Sequence, residues 1–235
     1  TNGSSEAIRE VIYQLKNRKR RLVIFKYDYE GYKAFAMACG LKFVEIDKEE
    51  YKKFKFKDND TLIFSHPASY DGNLWGDYDN LMKSLSEKKT QVYVDLCYVG
   101  TIAKDYTINL KYKNIEGLFI SLSKVYGVYF QRIGGLISRK AEDGLFGNQW
   151  FKNMFSLHFG IELMRKFSVQ FLPQKYSNLQ TQLCLELSSE LASEIKPSDV
   201  VFLAYSRNSI KDYERGSASR FCLTPGMDQL SGGPY

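Results

Sequence analysis

The sequence predicts an α/β protein in which a mostly parallel sheet is covered by helices on both faces, giving three layers. Two observations predict this fold. Short apolar runs of strand length recur along the chain, and segments whose apolar residues follow helical spacing separate them. This alternation is typical of parallel sheets, because a helix between two strands returns the chain to the same edge. The 235 residues, 44% of them hydrophobic, are enough for one substantial domain with a small addition.

The strands are predicted from apolar runs bounded by polar or turn-forming residues. They lie, in chain order, at 22–25, 43–46, 61–64, 91–95, 117–121 and 133–138. Two shorter apolar runs follow near the end of the chain, at 200–203 and 221–223. The six longer runs are the predicted sheet.

The helices are predicted from apolar residues that recur on one face. They cover, in chain order, about 4–16, 31–39, 78–86, 146–168 and 174–193. Ser4-Ser5-Glu6 favours the start of the first helix, and Gly40 ends the second as a left-handed cap. His158 lies in the apolar fourth helix, where we expect it to be packed rather than catalytic.

Charge and cysteine content limit the class of protein. The formal net charge of +6 comes partly from basic clusters at 16–21 and 52–57. We interpret these clusters as a helix end and a solvated loop rather than a nucleic-acid surface. No apolar run reaches the roughly 18 residues that a membrane span needs, and the four cysteines lack zinc-site spacing. We therefore expect a reduced, cytoplasmic protein that binds no nucleic acid, membrane or metal.

A lysine just after a predicted strand is the most informative residue of the sequence. The apolar run 117–120 ends in Ser121-Leu122-Ser123-Lys124, and Arg132 follows eight residues later. Lys124 thus lies among hydroxyl groups and near a guanidinium, the donors that suit a phosphate. An amine in this setting suits covalent attachment to an aldehyde cofactor.

A second motif follows another strand, upstream of this lysine. Asp95-Leu96-Cys97-Tyr98 ends the apolar run 91–94, and Ser-x-Ser-Lys follows about 25 residues downstream. Together the two motifs resemble the core of the fold-type-I pyridoxal-phosphate enzymes, the aspartate aminotransferase superfamily, and in particular its class I/II aminotransferases. The resemblance implies that Lys124 forms a Schiff base with pyridoxal 5'-phosphate. It also implies that Asp95 keeps the pyridine nitrogen protonated and that Tyr98 donates to the phenolate oxygen of the cofactor.

The start of the chain extends this resemblance to the phosphate of the cofactor. Gly3 and Ser4 resemble the glycine turn of the family, which opens a helix whose free amides bind the phosphate. The resemblance assigns Ser121, Ser123 and Arg132 to the same phosphate.

Two more residues match the family, and one departs from it. Tyr29, in Tyr27-Asp28-Tyr29-Glu30-Gly31-Tyr32, matches the aromatic residue that stacks on the cofactor ring. Arg220 matches the arginine that binds the substrate carboxylate. Ser69 stands where the family has an asparagine that bonds the phenolate oxygen, with Asn73 and His66 as alternative substitutes.

The resemblance extends from Thr1 to Leu223, although members of the family are far longer. We expect residues 1–150 to form the cofactor-binding large domain without the N-terminal arm of the family. Residues 151–235 are expected to form a helical continuation and an abbreviated small domain. A minimal variant of the family and a fragment of a longer protein both agree with the sequence.

The resemblance implies an enzyme that acts on an amino acid or a related amine, most simply an aminotransferase, and that works as a homodimer. Because Ser69 replaces the asparagine, a decarboxylase or lyase of a biosynthetic pathway is the alternative. A third interpretation is a non-catalytic cofactor-binding sensor module, similar to the aminotransferase-like domain of a transcription regulator.

Overall fold

A six-stranded, mostly parallel sheet forms the centre of the protein. The computed structural model describes residues 1–231, apart from the side chain of Gln149. The strands are β1 (Arg21–Phe25), β2 (Phe43–Ile46), β3 (Asp60–Ser65), β4 (Gln91–Asp95), β5 (Ile115–Ser121) and β6 (Gly134–Ser138). Their order is β2-β1-β3-β4-β5-β6, in which β5 and β6 pair antiparallel and the other pairs are parallel. The predicted strands and their mostly parallel arrangement are confirmed.

Helices cover both faces of this sheet. Helices α1 (Ser4–Asn17) and α2 (Glu30–Cys39) pack on one face, in a buried cluster that includes Leu22 of β1. Helix α3 (Tyr78–Glu87) packs on the other face, in a cluster that includes Val23. Neighbouring residues of β1 belong to opposite clusters because successive side chains of a strand point to opposite faces. The predicted three-layer fold is confirmed.

Three neighbouring strands bring polar side chains to one edge of the sheet. Strand β3 ends at Ser65, β4 at Asp95 and β5 at Ser121. Ser65 and Asp95 are partners in register, and β5 runs parallel to β4, so all three ends meet at the same edge. The short helix α4 (Leu122–Val125) follows β5 directly. It begins where the Ser121 Oγ accepts a hydrogen bond of 3.1 Å from the amide of Ser123.

The helix predicted over 146–168 begins later than expected. Residues Asp143–Gln149 form a 3₁₀ segment, and α5 spans Met154–Lys166. The Oδ1 of Asn153 accepts a hydrogen bond of 3.1 Å from the amide of Ser156, which caps α5 and fixes its start. The prediction that His158 is packed is wrong, because this side chain is exposed on α5.

A second, smaller sheet follows the long helix α6 (Phe171–Glu190). Its antiparallel strands are β7 (Lys196–Pro197), β8 (Leu203–Ser206), β9 (Glu214–Arg215) and β10 (Ala218–Cys222), in the order β7-β8-β10-β9. Together with α6 and the last helix, α7 (Thr224–Leu230), this sheet encloses a separate buried cluster. Tyr98, from the edge of the large sheet, belongs to that cluster. The small sheet therefore packs beside the edge where β3, β4 and β5 end.

The division of the chain at residue 150 stays a prediction, and the last four positions of the predicted region 151–235 lie outside the described residues. Within residues 1–231, no helix combines the length and the apolar character needed to cross a membrane.

Candidate functional site

A cavity of about 220 Å³ lies at the edge where β3, β4 and β5 end. Its walls come from the start of α1, the start of α2, the three strand ends and the segment that includes α4. Most of the predicted site residues line it: Ser4, Tyr29, Ser69, Asp95, Tyr98, Ser121, Ser123, Lys124 and Arg132. The fold thus brings together side chains that are separated by more than a hundred positions in the sequence.

Lys124 presents its amine to this cavity from α4. The Nζ atom lies 4.8 Å from the ring centre of Tyr129 and 5.8 Å from that of Tyr98. Burial lowers the pKa of Lys124, and the positive charges of Arg220 and Arg132 lower it further. A lysine with a lowered pKa has a larger neutral fraction near neutral pH, and the neutral amine is the nucleophilic form.

Asp95 is a buried carboxylate held by two donors. The hydroxyl of Tyr32 donates to its Oδ2 at 2.8 Å, and the amide of Cys97 donates to its Oδ1 at 3.0 Å. Burial raises the pKa of Asp95 to about 6, although these hydrogen bonds act in the opposite direction. A cationic group in the cavity would favour the ionised form, so Asp95 is suited to face a protonated ring nitrogen.

Tyr98 and Ser69 connect the cavity to the small sheet through Arg220. The Nη1 of Arg220, on β10, donates to the backbone carbonyl of Ser69 and lies 3.4 Å from its Oγ. Burial raises the pKa of Tyr98, whereas the positive charge of Arg220 and the nearby side chain of Ser69 act to lower it. Arg220 itself is not among the residues that line the cavity. Its guanidinium instead supports Ser69, which does line it.

The start of α1 and Arg132 form the positively charged end of the cavity. Within the described part of the chain, no side chain caps the first turn of α1, so its amides are free to bind an anion. Gly3 has a φ of 79°, and a Cβ at this position would lie 2.9 Å from the Cζ of Arg132. The Nη2 of Arg132 donates to the Oγ of Ser5 at 3.3 Å. The glycine therefore lets the guanidinium approach the backbone at the start of the helix.

Ser123 supplies an independent test of whether a phosphate fits this end of the cavity. Ser123 lines the cavity, and its buried hydroxyl has no hydrogen-bond partner among the described residues. A buried hydroxyl without a partner costs free energy, so a missing partner of this kind indicates a ligand group. The free amides of α1, Arg132 and Ser123 together fit the phosphate of pyridoxal 5'-phosphate.

Tyr29 lines the cavity from the residue before α2. Its ring packs edge-to-face on that of Tyr32, with ring centres 5.3 Å apart, and its hydroxyl lies 3.4 Å from the Oγ of Ser5. The ring is thus fixed by contacts on the protein side. The stacking of Tyr29 on a cofactor remains a prediction.

Neither alternative substitute for the missing asparagine reaches the cavity. The ring of His66 stacks on Tyr78, with ring centres 4.5 Å apart, and burial lowers its pKa to about 4. The Oδ1 of Asn73 accepts a hydrogen bond of 2.9 Å from the amide of Asp199. Ser69 lines the cavity, as the position of the asparagine in the motif predicts.

Four further residues line the cavity without having been predicted: Ser5, Ser65, Cys97 and Tyr129. Ser65 could have been found, because it ends a strand next to the one that ends at Asp95. Cys97 lies inside the Asp95–Tyr98 motif, and Ser5 follows Ser4. No pattern in the sequence marks Tyr129 as a cavity residue, because its position depends on how the segment after α4 folds back.

Comparisons with known proteins identify one relative by sequence and several by fold. A search of family models finds none that matches. Histidinol-phosphate aminotransferase of Thermotoga neapolitana is 30% identical over 133 residues, which are 55% of this chain and 39% of that protein. The chain therefore spans well under two thirds of this relative.

Solved structures show the fold directly. Histidinol-phosphate aminotransferase of Clostridium acetobutylicum has a TM-score of 0.71 at 16% identity, over 98% of this chain and 81% of that one. The chain has the fold of the fold-type-I pyridoxal-phosphate enzymes. L-threonine-O-3-phosphate decarboxylase of Porphyromonas gingivalis has a TM-score of 0.70 at 18% identity, over 99% of this chain and 82% of that one. The fold expected from the Asp95 and Lys124 motifs is confirmed.

Proposed function

We propose that this protein is a pyridoxal-phosphate-dependent aminotransferase that acts on an amino acid or a related amine. One observation carries this proposal. The amine of Lys124, with its lowered pKa, shares a single cavity with the buried Asp95 carboxylate and with the unpartnered Ser123 hydroxyl. These three groups suit the aldehyde, the ring nitrogen and the phosphate of the cofactor, respectively.

The phosphate is assigned to the first amides of α1 and to the side chains around them. Ser4, Ser121 and Ser123 offer hydroxyl groups, and Arg132 offers the counter-charge. A dianion at this end of the cavity is also stabilised by the positive end of the α1 dipole. These groups supply most of the binding free energy of the cofactor in this proposal.

The remaining cavity residues carry the chemistry. Pyridoxal phosphate, when bound, supplies an aldehyde carbon and an electron-accepting ring. Lys124 would hold the aldehyde carbon of the cofactor through Nζ, and its amine, when free, would take up and return a proton. Asp95 keeps a negative charge beside the ring nitrogen, and Tyr98 offers a hydroxyl donor to the ring oxygen. Ser69, supported by Arg220, takes the position of the asparagine of the family.

The carboxylate of the substrate is assigned to Arg220. Arg220 does not line the cavity itself. Among the described residues, however, only its Nη1 makes a side-chain hydrogen bond, to Ser69, so the other N–H groups of the guanidinium are available for a ligand. In this proposal the side chain of Arg220 both binds the substrate carboxylate and holds Ser69 in position.

The proposal is tested with the full chain mixed with pyridoxal 5'-phosphate. We expect a visible absorption band that changes when a suitable amino acid is added, and borohydride reduction that fixes the cofactor on Lys124. Lys124→Ala should abolish fixation of the cofactor by borohydride, whereas Lys140→Ala, which changes an exposed lysine, should leave it intact. Labelling of a different lysine would contradict the assignment.

Decarboxylation is the second candidate activity. It is supported by Ser69 in place of the family asparagine and by the likeness to the Porphyromonas gingivalis decarboxylase. The products distinguish the two activities, because an aminotransferase passes the amino group to a 2-oxo acid and a decarboxylase releases carbon dioxide. A sensor module would bind the cofactor and give neither product.

We further propose a cytoplasmic homodimer with a partner surface centred on α5 and the segment before it. Large apolar side chains are exposed there, including Trp150, Phe151, Met154 and Phe155 at 65%, 82%, 65% and 75%. An exposed apolar patch of this kind is typical of a protein interface. A second copy of the chain is the proposed occupant, because the patch adjoins Asn153 and Ser156, which lie beside a groove that includes Arg132 of the cofactor cavity.

A further inference from the structure

Asp28 is a buried carboxylate behind the wall of the cofactor cavity, and it accepts three hydrogen bonds. Its Oδ1 accepts from the amide of Tyr29 at 2.8 Å and from the hydroxyl of Ser65, and its Oδ2 accepts from the amide of Ser65 at 2.9 Å. The side chain thus joins the loop after β1 to the end of β3. The cofactor chemistry described above does not use it.

The groups that Asp28 holds are cavity residues. Tyr29 and Ser65 both line the cavity. The Ser65 hydroxyl donates to Asp28 and accepts a hydrogen bond of 2.6 Å from the amide of Ser69, which also lines the cavity. A single carboxylate therefore fixes, directly or through one hydroxyl, three residues on the same wall.

We propose that Asp28 is a positioning residue that sets Tyr29, Ser65 and Ser69 for the ring of the bound cofactor. This inference rests on the proposed function. Ser69 stands in place of an asparagine and has a shorter side chain. The place of its hydroxyl therefore depends mainly on the position of the backbone at residue 69. The Asp28–Ser65–Ser69 chain of hydrogen bonds sets that backbone.

The burial of the Asp28 carboxylate favours a positioning role for this residue over a purely stabilising one. Burial raises the pKa of Asp28, which shows that its desolvation opposes the ionised form even with three donors. A buried charge is a weak source of stability, because the desolvation cost offsets most of the gain from its partners. Placement of the groups around it is therefore the main effect of this carboxylate.

Strand β3 also provides a matched control at its other end. Asp60, its first residue, is buried like Asp28 and accepts two hydrogen bonds from Arg21, at 2.7 and 2.8 Å, and one from the amide of Lys57, at 2.8 Å. Asp60 lies at the opposite end of β3 from Ser65 and does not line the cavity. Replacing Asp60 therefore shows what the loss of a buried, hydrogen-bonded carboxylate does to the protein when the cavity itself is not altered.

The experiment compares Asp28→Asn and Asp60→Asn in the full chain. An amide has one acceptor oxygen instead of two, so in Asp28→Asn an NH₂ group faces at least one donor that the carboxylate accepted. Both variants should lower the melting temperature of the cofactor-free protein. Only Asp28→Asn should weaken pyridoxal 5'-phosphate binding, by about tenfold or more, because Tyr29, Ser65 and Ser69 lose the contacts that position them around the cofactor ring. It should also change the visible circular dichroism of the bound cofactor, which reports its orientation.

Three outcomes of the comparison between Asp28→Asn, Asp60→Asn and the wild type would overturn the inference. One is Asp28→Asn with unchanged affinity and circular dichroism, and another is equal loss of affinity in Asp60→Asn. Wild-type protein that binds no pyridoxal 5'-phosphate would overturn both this inference and the proposed function, whereas the first two outcomes leave the proposed function intact.

If Asp28→Asn does not fold, Ser65→Ala removes the hydroxyl that links Asp28 to Ser69 and should produce the same change in circular dichroism. An unchanged Ser65→Ala spectrum would then overturn the inference.

Discussion

The guanidinium of Arg132 occupies the space that a side chain on Gly3 would need. A Cβ on Gly3 would lie 2.9 Å from the Cζ of Arg132, and Gly3 also has a positive φ of 79°. Arg132 has a positive φ as well, of 51°. The proposed phosphate site thus joins residues that are more than a hundred positions apart, and it requires that Gly3 carry no side chain.

Gly3→Ala should weaken pyridoxal 5'-phosphate binding by about tenfold or more, because the methyl group displaces Arg132 and strains the backbone. Equilibrium titration of the full chain by visible absorption measures the affinity. Gly76→Ala is the matched control, since an added Cβ there meets no atom within 4 Å. Equal affinities for the two variants would contradict the role given to the contact between Gly3 and Arg132.

Arg132→Ala and Asp95→Asn should separate binding from chemistry. Arg132→Ala removes a charge-assisted partner of the phosphate and should lose the cofactor on gel filtration. Asp95→Asn should retain the cofactor and lose activity by about 100-fold or more, since the carboxylate acts when negative charge develops on the ring. The cofactor content and the turnover of each purified variant measure the two effects. The reverse result would exchange the two roles and overturn the assignment.

The cofactor-free protein should show a pH dependence that comes from Asp95. Burial raises the pKa of this carboxyl group to about 6, so between about pH 4 and pH 6 the folded state holds a proton that the unfolded state releases. The resulting stabilisation, about 3 kcal/mol, is present below about pH 4 and is lost as the pH rises through 6. Urea unfolding of the wild type and Asp95→Asn from pH 4 to pH 7 measures the difference. Parallel pH curves for the two proteins would refute this expectation.

Phe155→Glu should weaken the proposed homodimer, because a carboxylate in an apolar interface must be desolvated without a partner. Sedimentation velocity at several protein concentrations measures the association. Met37→Glu, which changes an exposed apolar residue of α2 (63% exposed), is the control and should leave the dimer intact. A wild-type protein that remains monomeric with bound cofactor would contradict the dimer itself.

The sequence by itself determined the order of the elements and most of the candidate site. Continuous apolar runs marked the strands of the large sheet, because a strand that is covered on both faces must place apolar side chains on each of them. Asp95 and Lys124 could be assigned to one cavity because parallel strands end at a common edge. These inferences rely on local patterns and on one general rule of topology.

Only the tertiary structure decided which neighbours these residues have. The donors to Asp95 come from Tyr32 on α2 and from the amide of Cys97, and the partner of Ser69 comes from Arg220 on the small sheet. The start of α5 likewise depends on the capping contact of Asn153 rather than on apolar spacing. Contacts of this kind depend on how separate elements pack, and packing is set by the whole chain. The burial that shifts the pKa values of Asp95 and Lys124 arises in the same way, since no local pattern determines how much water the finished fold excludes.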